Sequence, residues 1–149
     1  MKILFVVVPD NDKGRYIFKK RNYDNFIVLA IAQASAVLKQ DGHIIKALDL
    51  RVSFHPQKEL FDSIENFKPD ILHMSAYFVS AGNIRRYSAL IKNKYNMPLY
   101  FGGIYPSLYP ITILEESIKL PYFNDIDVMI KGEESSFKEF LEKKNQKFF

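Results

Sequence analysis

Apolar runs and helical stripes alternate along the whole chain, and this alternation predicts alternating strands and helices. Continuous apolar runs predict strands at Ile3–Val8, Ile44–Leu50, Ile71–Ser75, Leu99–Phe101 and Asp127–Lys131. Apolar residues at helical spacing predict helices at Phe26–Lys39, after Pro56, at Ser80–Tyr95, at Ile111–Ile118 and after Ser136. The pattern predicts an α/β fold, with a doubly wound, five-stranded parallel sheet between two helical layers.

The pattern continues without a linker, internal repeat or low-complexity tract, so we predict a single domain over residues 1–149. In doubly wound sheets, ligands bind outside the carboxyl ends of the strands, where the strand order reverses. A ligand site is therefore expected on the loops that follow the strands, after Val8, Leu50, Ser75, Phe101 and Lys131.

Composition narrows the chemistry that this domain can carry. The 149 residues include no cysteine, which excludes disulfides, thiolate catalysis and any cysteine-ligated zinc or iron–sulfur site. The net charge is +4, and the dense basic cluster Lys19-Lys20-Arg21 is interpreted as a solvated loop rather than a nucleic-acid contact. We expect no nucleic-acid partner.

Hydropathy indicates neither a membrane span nor a secretory leader. No run of eighteen or more apolar residues occurs. The apolar segment Ile3–Val8 is short, follows a single Lys2 and is not followed by a small-residue cleavage site. We therefore expect a cytoplasmic protein with no membrane partner.

The loop after the first strand lacks the motifs of phosphate-binding folds. A dinucleotide fold needs G-x-G-x-x-G, whereas this loop has only Gly14. Asp49 ends the second strand where a ribose-binding acid would lie, but a capping or solvated role is favoured. The Walker pattern and the Ser/Thr-rich loop of flavodoxins are also absent. A phosphoacceptor domain would need a carboxylate after the third strand, where Ser75 and Ala76 stand instead.

The histidines do not indicate a catalytic triad or a metal site. No nucleophile-elbow motif occurs, and no two histidines have the spacing of metal ligands. His73 lies inside an apolar strand and is interpreted as a hydrogen-bonded core residue. His43 and His55 are interpreted as surface turn residues.

Three loops remain as candidates for binding. They begin with Ser75-Ala76-Tyr77, Gly102-Gly103-Ile104-Tyr105 and Lys131-Gly132-Glu133. Adjacent glycines at a strand end permit either a close approach to the backbone or a sharp turn, and the sequence leaves both explanations open. Gly132-Glu133 equally suits a turn followed by a helix whose amino end favours a carboxylate.

Six segments, in this order along the chain, carry a resemblance to a known family. They are Lys2-Ile3-Leu4-Phe5-Val6, Leu38-Lys39-Gln40-Asp41-Gly42-His43, Ala47-Leu48-Asp49-Leu50, Lys68-Pro69-Asp70-Ile71-Leu72-His73-Met74-Ser75, Phe101-Gly102-Gly103-Ile104-Tyr105-Pro106-Ser107 and Asp127-Val128-Met129-Ile130-Lys131-Gly132-Glu133-Glu134. Together they resemble the N-terminal cobalamin (vitamin B12)-binding domain of B12-dependent radical SAM enzymes. The resemblance covers nearly the whole chain.

The resemblance implies a flavodoxin-like fold with strand order 2-1-3-4-5 and cobalamin as the cofactor. It implies that Ser75 touches the buried nucleotide tail, that Gly102 and Gly103 leave room for it, and that Tyr77, Ile104 and Tyr105 border the corrin or the cleft. The full set of expected cofactor-binding residues is Pro9, Asp10, Ser75, Ala76, Tyr77, Gly102, Gly103, Ile104, Tyr105, Gly132 and Glu133.

The chain departs from the family in two features, a cobalt-ligating histidine and the cysteines of a radical SAM domain. Cobalamin domains of mutases ligate cobalt through the His of D-x-H-x-x-G, and no His follows Asp10 here. The resemblance then implies that cobalamin binds without a histidine of the protein on cobalt. The protein itself would ligate no metal. A radical SAM domain needs three cysteines, so none is present. We expect no catalysis by this chain alone, and a radical SAM domain or partner chain as its associate.

Two other interpretations stay open. The bulky Tyr77 and Phe78 favour a degenerate domain that keeps the fold, binds no cofactor and acts as a scaffold. An enzyme acting on a nucleotide or sugar, with Glu133 or Asp10 as acid or base, has less support because no acid–base pair emerges from the spacing.

Overall fold

The computed structural model of the chain describes residues 1–9, 25–75, 77, 80–109, 128–129, 138–139 and 141, with backbone only at 25–28 and 128–129. Its strands are β1 (Lys2–Val7), β2 (Ile44–Asp49), β3 (Ile71–Ser75), β4 (Leu99–Gly102) and β5 (Val128–Met129). Its helices are α1 (Asn25–Gln40), α2 (Pro56–Phe67), α3 (Ala81–Lys94) and α4 (Ile104–Leu108). A short 3-10 turn, Leu50–Val52, follows β2.

The strands form a parallel sheet in which β1 and β3 are central. β1 pairs with β2 on one side and with β3 on the other, and β3 pairs in turn with β4. The two described residues of β5 pair with β4, also in parallel. All described pairs are parallel and helices intervene between the strands, so the predicted α/β class is confirmed.

Local sequence signals set where the helices begin and end. α1 stops where Gly42 adopts φ 80°, and the Gly42 and His43 amides then donate to the Lys39 and Leu38 carbonyls at 3.0 and 3.1 Å. Pro56 begins α2, where its missing amide hydrogen costs no helical hydrogen bond. Lys68 ends this helix in the left-handed region at φ 51°.

Each face of the sheet has its own hydrophobic core, because alternate strand residues point to opposite faces. One face packs against α2 and α3 through Leu4, Val6, Leu72, Met74, Leu99, Phe101, Leu60, Ile64, Ile84, Tyr87 and Ile91. The other face packs against α1 through Ile3, Phe5, Val7, Ile71, Tyr100, Ile31, Ala34, Leu38 and Leu141. We call these the α2/α3 face and the α1 face.

The predicted element boundaries hold within one residue for the described strands and helices, apart from β5 and α4. β3 has the predicted bounds, and of the predicted strand Asp127–Lys131 only Val128–Met129 is described. α4 was not predicted, since Pro106 and the preceding glycines indicate a loop. The expected helix Ile111–Ile118 lies outside the described residues. Within the described part of the chain, no helix is both long and apolar enough to cross a membrane.

Candidate functional site

The carboxyl ends of the central strands bring together residues that the sequence placed in one site. In the parallel register, Val7 of β1 lies beside Ser75 of β3, and Ser75 lies beside Gly102 of β4. Neighbouring strands lie about 4.8 Å apart, so Ser75 and Gly102 are adjacent at this edge. Ser75 is buried, with 8% of its surface exposed.

Gly102 is explained by a close approach from within the chain. A Cβ added to Gly102 would lie 2.4 Å from His73 Nε2 and 3.0 Å from Cε1 of the same ring. Gly102 has no positive φ, so the backbone itself does not require glycine here. Of the two explanations that the sequence left open, the close approach applies, and the group that approaches is the His73 imidazole.

Gly103 is explained by backbone conformation. Its φ of 109° and ψ of −170° fall in a region that essentially only glycine occupies. The Gly103 carbonyl then accepts from the Ser107 hydroxyl at 2.8 Å and from the Ser107 amide at 3.2 Å, which holds the single turn of α4. The two adjacent glycines therefore serve different purposes.

Two of the three residues that were expected to border the corrin or the cleft, Ile104 and Tyr105, lie in α4 and differ in exposure. Ile104 is 55% exposed, and Leu108 and Tyr109 are exposed as well. Tyr105 is only 6% exposed and belongs to the core of the α2/α3 face. Ile104 therefore presents apolar surface close to the strand ends, whereas Tyr105 mainly anchors α4 to the domain.

Tyr77 lies in a tight connection between β3 and α3. The Tyr77 amide donates to Ser80 Oγ at 3.2 Å. The Ser80 hydroxyl and the Ser80 amide each donate to the Tyr77 carbonyl at 3.1 Å. Ser80 is completely buried and Tyr77 is half-buried. This hydrogen-bonded turn fixes the backbone of Tyr77 at the carboxyl edge of the sheet.

Asn83 connects the loop after β1 to α3, and sequence reasoning missed it. Its side-chain amide donates to the Pro9 carbonyl at 2.8 Å, and both partners are buried. The contact spans the point between β1 and β3 where the strand order reverses. The only sequence signal was a polar residue directly before the apolar stripe of α3 that begins at Ile84.

His73 is neutral at physiological pH. Burial lowers the pKa of its imidazole from 6.5 to about 4, because the charged form would lose its hydration. The ring is 8% exposed, and its centroid lies 5.0 Å from that of Phe5 on the α1 face. The interpretation of His73 as a core residue is confirmed.

Asp49 is used within the chain. Its Oδ1 accepts from Arg51 Nε at 2.8 Å and from the Arg51 amide at 3.1 Å, and Oδ2 pairs with Nη2 at 2.5 Å. Arg51 is only 6% exposed, so the acid neutralises a buried guanidinium. The capping interpretation of Asp49 is confirmed.

Among the described residues there is no metal centre, and an open surface groove lies away from the glycines. In this part of the chain, no three His, Asp or Glu side chains cluster as metal ligands would. One open groove of about 670 Å³ lies between α2 and α3, and its walls include the pairs Lys58–Asp62 and Lys94–Glu65. This groove is distinct from the strand ends at Gly102 and Gly103.

The expected cofactor-binding residues divide into four that lie outside the described residues and seven that the structure describes. Asp10, Ala76, Gly132 and Glu133 lie outside the described residues, so their roles stay predictions. Among the others, Ser75 and Gly102 end β3 and β4, Gly103 and Ile104 follow β4 directly, and the His73 ring lies against Gly102 on the α1 face.

Comparisons with known proteins add no identification. No family model matches the sequence, and no curated protein matches it.

Proposed function

We propose that this domain is a corrinoid-binding module, similar in fold and site position to the cobalamin-binding domain of B12-dependent radical SAM enzymes. The proposal includes a flavodoxin-like sheet with five strands in the order 2-1-3-4-5. It places the corrin macrocycle over the carboxyl ends of β3 and β4. The protein would hold and present the cofactor, and the chemistry would belong to an associated radical SAM domain or chain.

One observation carries this proposal: Ser75 and Gly102 are adjacent, and an exposed apolar residue, Ile104, follows them. Large planar ligands need apolar surface with a few polar anchors. Ile104 and Leu108 supply apolar surface, being 55% and 64% exposed, and the buried Ser75 supplies a hydroxyl at the same edge. The bound cofactor would supply cobalt as a carrier of an alkyl group.

The fit is incomplete on the α1 face. The nucleotide tail was expected in the space left by Gly102, but the His73 ring already approaches that position too closely for one methyl group. This observation favours a second candidate function, a domain of the same fold that binds no cofactor and serves as a scaffold. Retention of any corrinoid separates the two candidates.

The test is a binding experiment on the purified chain. The chain is incubated with hydroxocobalamin, methylcobalamin or cobinamide, which is cobalamin without its nucleotide tail, then desalted, and the retained corrinoid is measured by absorbance. We expect near-stoichiometric retention of at least one of them. Retention of none of them at high micromolar concentration contradicts corrinoid binding and favours the scaffold.

A matched pair of surface variants locates the site. Ile104→Lys places a charge beside the strand ends, whereas Ile44→Lys places it at the amino end of β2, and the two wild-type side chains are 55% and 57% exposed. Because both are on the surface, neither change should unfold the domain. We expect Ile104→Lys to weaken corrinoid binding at least tenfold and Ile44→Lys to leave it unchanged.

A further inference from the structure

The space beside Gly102 is filled by the chain itself. On the α1 face, His73 lies in the middle of β3 and its ring leans across to Gly102 in β4. The distance of 2.4 Å from Nε2 to an added Cβ is far below the 3.5–4.0 Å at which non-bonded heavy atoms pack. A group larger than hydrogen fits at this position only if the ring moves.

Moving the ring would disturb a packed core. His73 is flanked by Phe5, whose ring centroid is 5.0 Å away, and is 8% exposed. Tyr100 pairs with His73 in the strand register and is 0% exposed, and it belongs with Phe5 to the core of the α1 face. Interiors packed this tightly resist displacement of a side chain.

We infer that His73 is a specificity-determining residue that closes the position beside Gly102, so that the domain prefers corrinoids without a nucleotide tail inserted there. The inference rests on the proposed function, since it concerns the same strand ends. The ligand class is an incomplete corrinoid such as cobinamide. A complete cobalamin would keep its lower base on cobalt.

The nucleotide tail is too large for the position beside Gly102. The nucleotide tail ends in a bicyclic base, many times the volume of one methyl group, and the methyl group of an alanine at position 102 already overlaps the His73 ring. A corrin macrocycle lying above the sheet does not need this space. The His73 ring therefore disfavours insertion of the nucleotide tail, whereas it does not hinder binding of the macrocycle.

The first test uses the wild-type chain. Dissociation constants are measured for cobinamide and hydroxocobalamin, and the absorbance spectrum of bound cobalamin reports whether the lower base stays on cobalt. We expect cobinamide to bind at least tenfold more tightly, and any bound cobalamin to show the base-on spectrum. The inference is overturned if cobalamin binds as tightly as cobinamide or more tightly, or if its lower base leaves cobalt on binding. The proposed function stands in either case.

The second test opens the space. His73→Ala removes the ring, and Met74→Ala is the matched control, because it truncates the next residue of β3 on the opposite face, where Met74 is completely buried. We expect His73→Ala to tighten cobalamin binding at least tenfold with little change for cobinamide. Met74→Ala should change neither the affinity for cobalamin nor the affinity for cobinamide. Folding of both variants is checked by circular dichroism.

The outcomes are distinguishable. An unchanged preference in a folded His73→Ala variant overturns the inference. If this variant does not fold, the wild-type comparison decides alone. Failure of every corrinoid to bind the wild-type chain contradicts the proposed function, and with it this inference, whereas preference for complete cobalamin contradicts only the inference.

Discussion

The two faces of the sheet are built differently, although they share the same strands. Strand residues on the α2/α3 face are apolar in β1, β3 and β4, as Leu72, Met74 and Phe101 illustrate. On the α1 face, β3 and β4 carry His73, Ser75 and Gly102. Both faces are buried, so exposure does not explain the difference.

This contrast shows where the fold departs from simple core packing. An apolar strand residue contributes stability by burial, whereas a buried imidazole or hydroxyl contributes little unless its polar atoms are satisfied. On the α1 face, the polar residues of β3 and the glycine that ends β4 therefore contribute less to stability than apolar side chains would. Such local departures from ideal packing are expected at functional positions.

The largest expected effect is on the apolar face. Met74→Ala removes a completely buried side chain from the α2/α3 core and leaves a cavity. We expect it to lower the free energy of unfolding by about 2–5 kcal/mol. Urea denaturation followed by circular dichroism measures this loss, and a loss below about 1 kcal/mol would contradict tight packing on this face.

Acidification should lower the folding stability of the domain through His73 on the α1 face. The pKa of His73 is about 4 in the folded chain and 6.5 ordinarily, so between these pH values the unfolded state binds more protons. Stability is then complete above pH 6.5 and falls as the pH approaches 4, by up to about 3 kcal/mol.

Denaturation curves at several pH values between 7.5 and 4.5 measure this slope. Because burial also lowers the pKa of His43, the comparison is with His73→Ala, which keeps the His43 contribution. We expect a flatter pH dependence in that variant. An equal slope in both chains would mean that His73 is not the group that titrates.

Gly102→Ala tests the contact that links β3 and β4 on the α1 face. Overpacking against the His73 ring should lower the free energy of unfolding by about 1–3 kcal/mol, because the backbone conformation itself accepts alanine. In a His73→Ala background the same change should cost much less, and a double-mutant cycle measures this coupling. Additive effects would show that the ring and Gly102 do not meet.

The smallest effect is expected on the outer surface of α2. Lys58 and Asp62 form an exposed ion pair at 2.5 Å, four residues apart, and the contact raises the pKa of the lysine. Exposed pairs are screened by solvent, so Lys58→Ala should leave the melting temperature essentially unchanged. A clear drop would show that the α2/α3 face depends on surface charge as well as on its apolar core.

Much of the fold could be predicted from local patterns. The apolar run Ile71–Ser75 gave β3 its bounds, and Gly42 and Pro56 marked the end of α1 and the start of α2. α4 could not be predicted, since Gly103 and Pro106 suit a loop as well as a short helix.

The site was only partly predictable. The sequence placed Ser75 and Gly102 at neighbouring strand ends, because parallel strands align their carboxyl ends. It could not reveal that His73 fills the space beside Gly102, or that Asn83 binds the Pro9 carbonyl 74 positions away. Both contacts depend on the register of the strands and on helix placement.

The sequence by itself determined the positions of β1 to β4 and of α1, α2 and α3 along the chain, and the absence of cysteine chemistry. Only the tertiary structure decided the reasons for the two glycines, with φ 109° requiring Gly103 and the imidazole requiring Gly102. The physical reason is that apolar periodicity is written along the chain, whereas the volume available to a side chain is fixed by neighbours from other strands and helices.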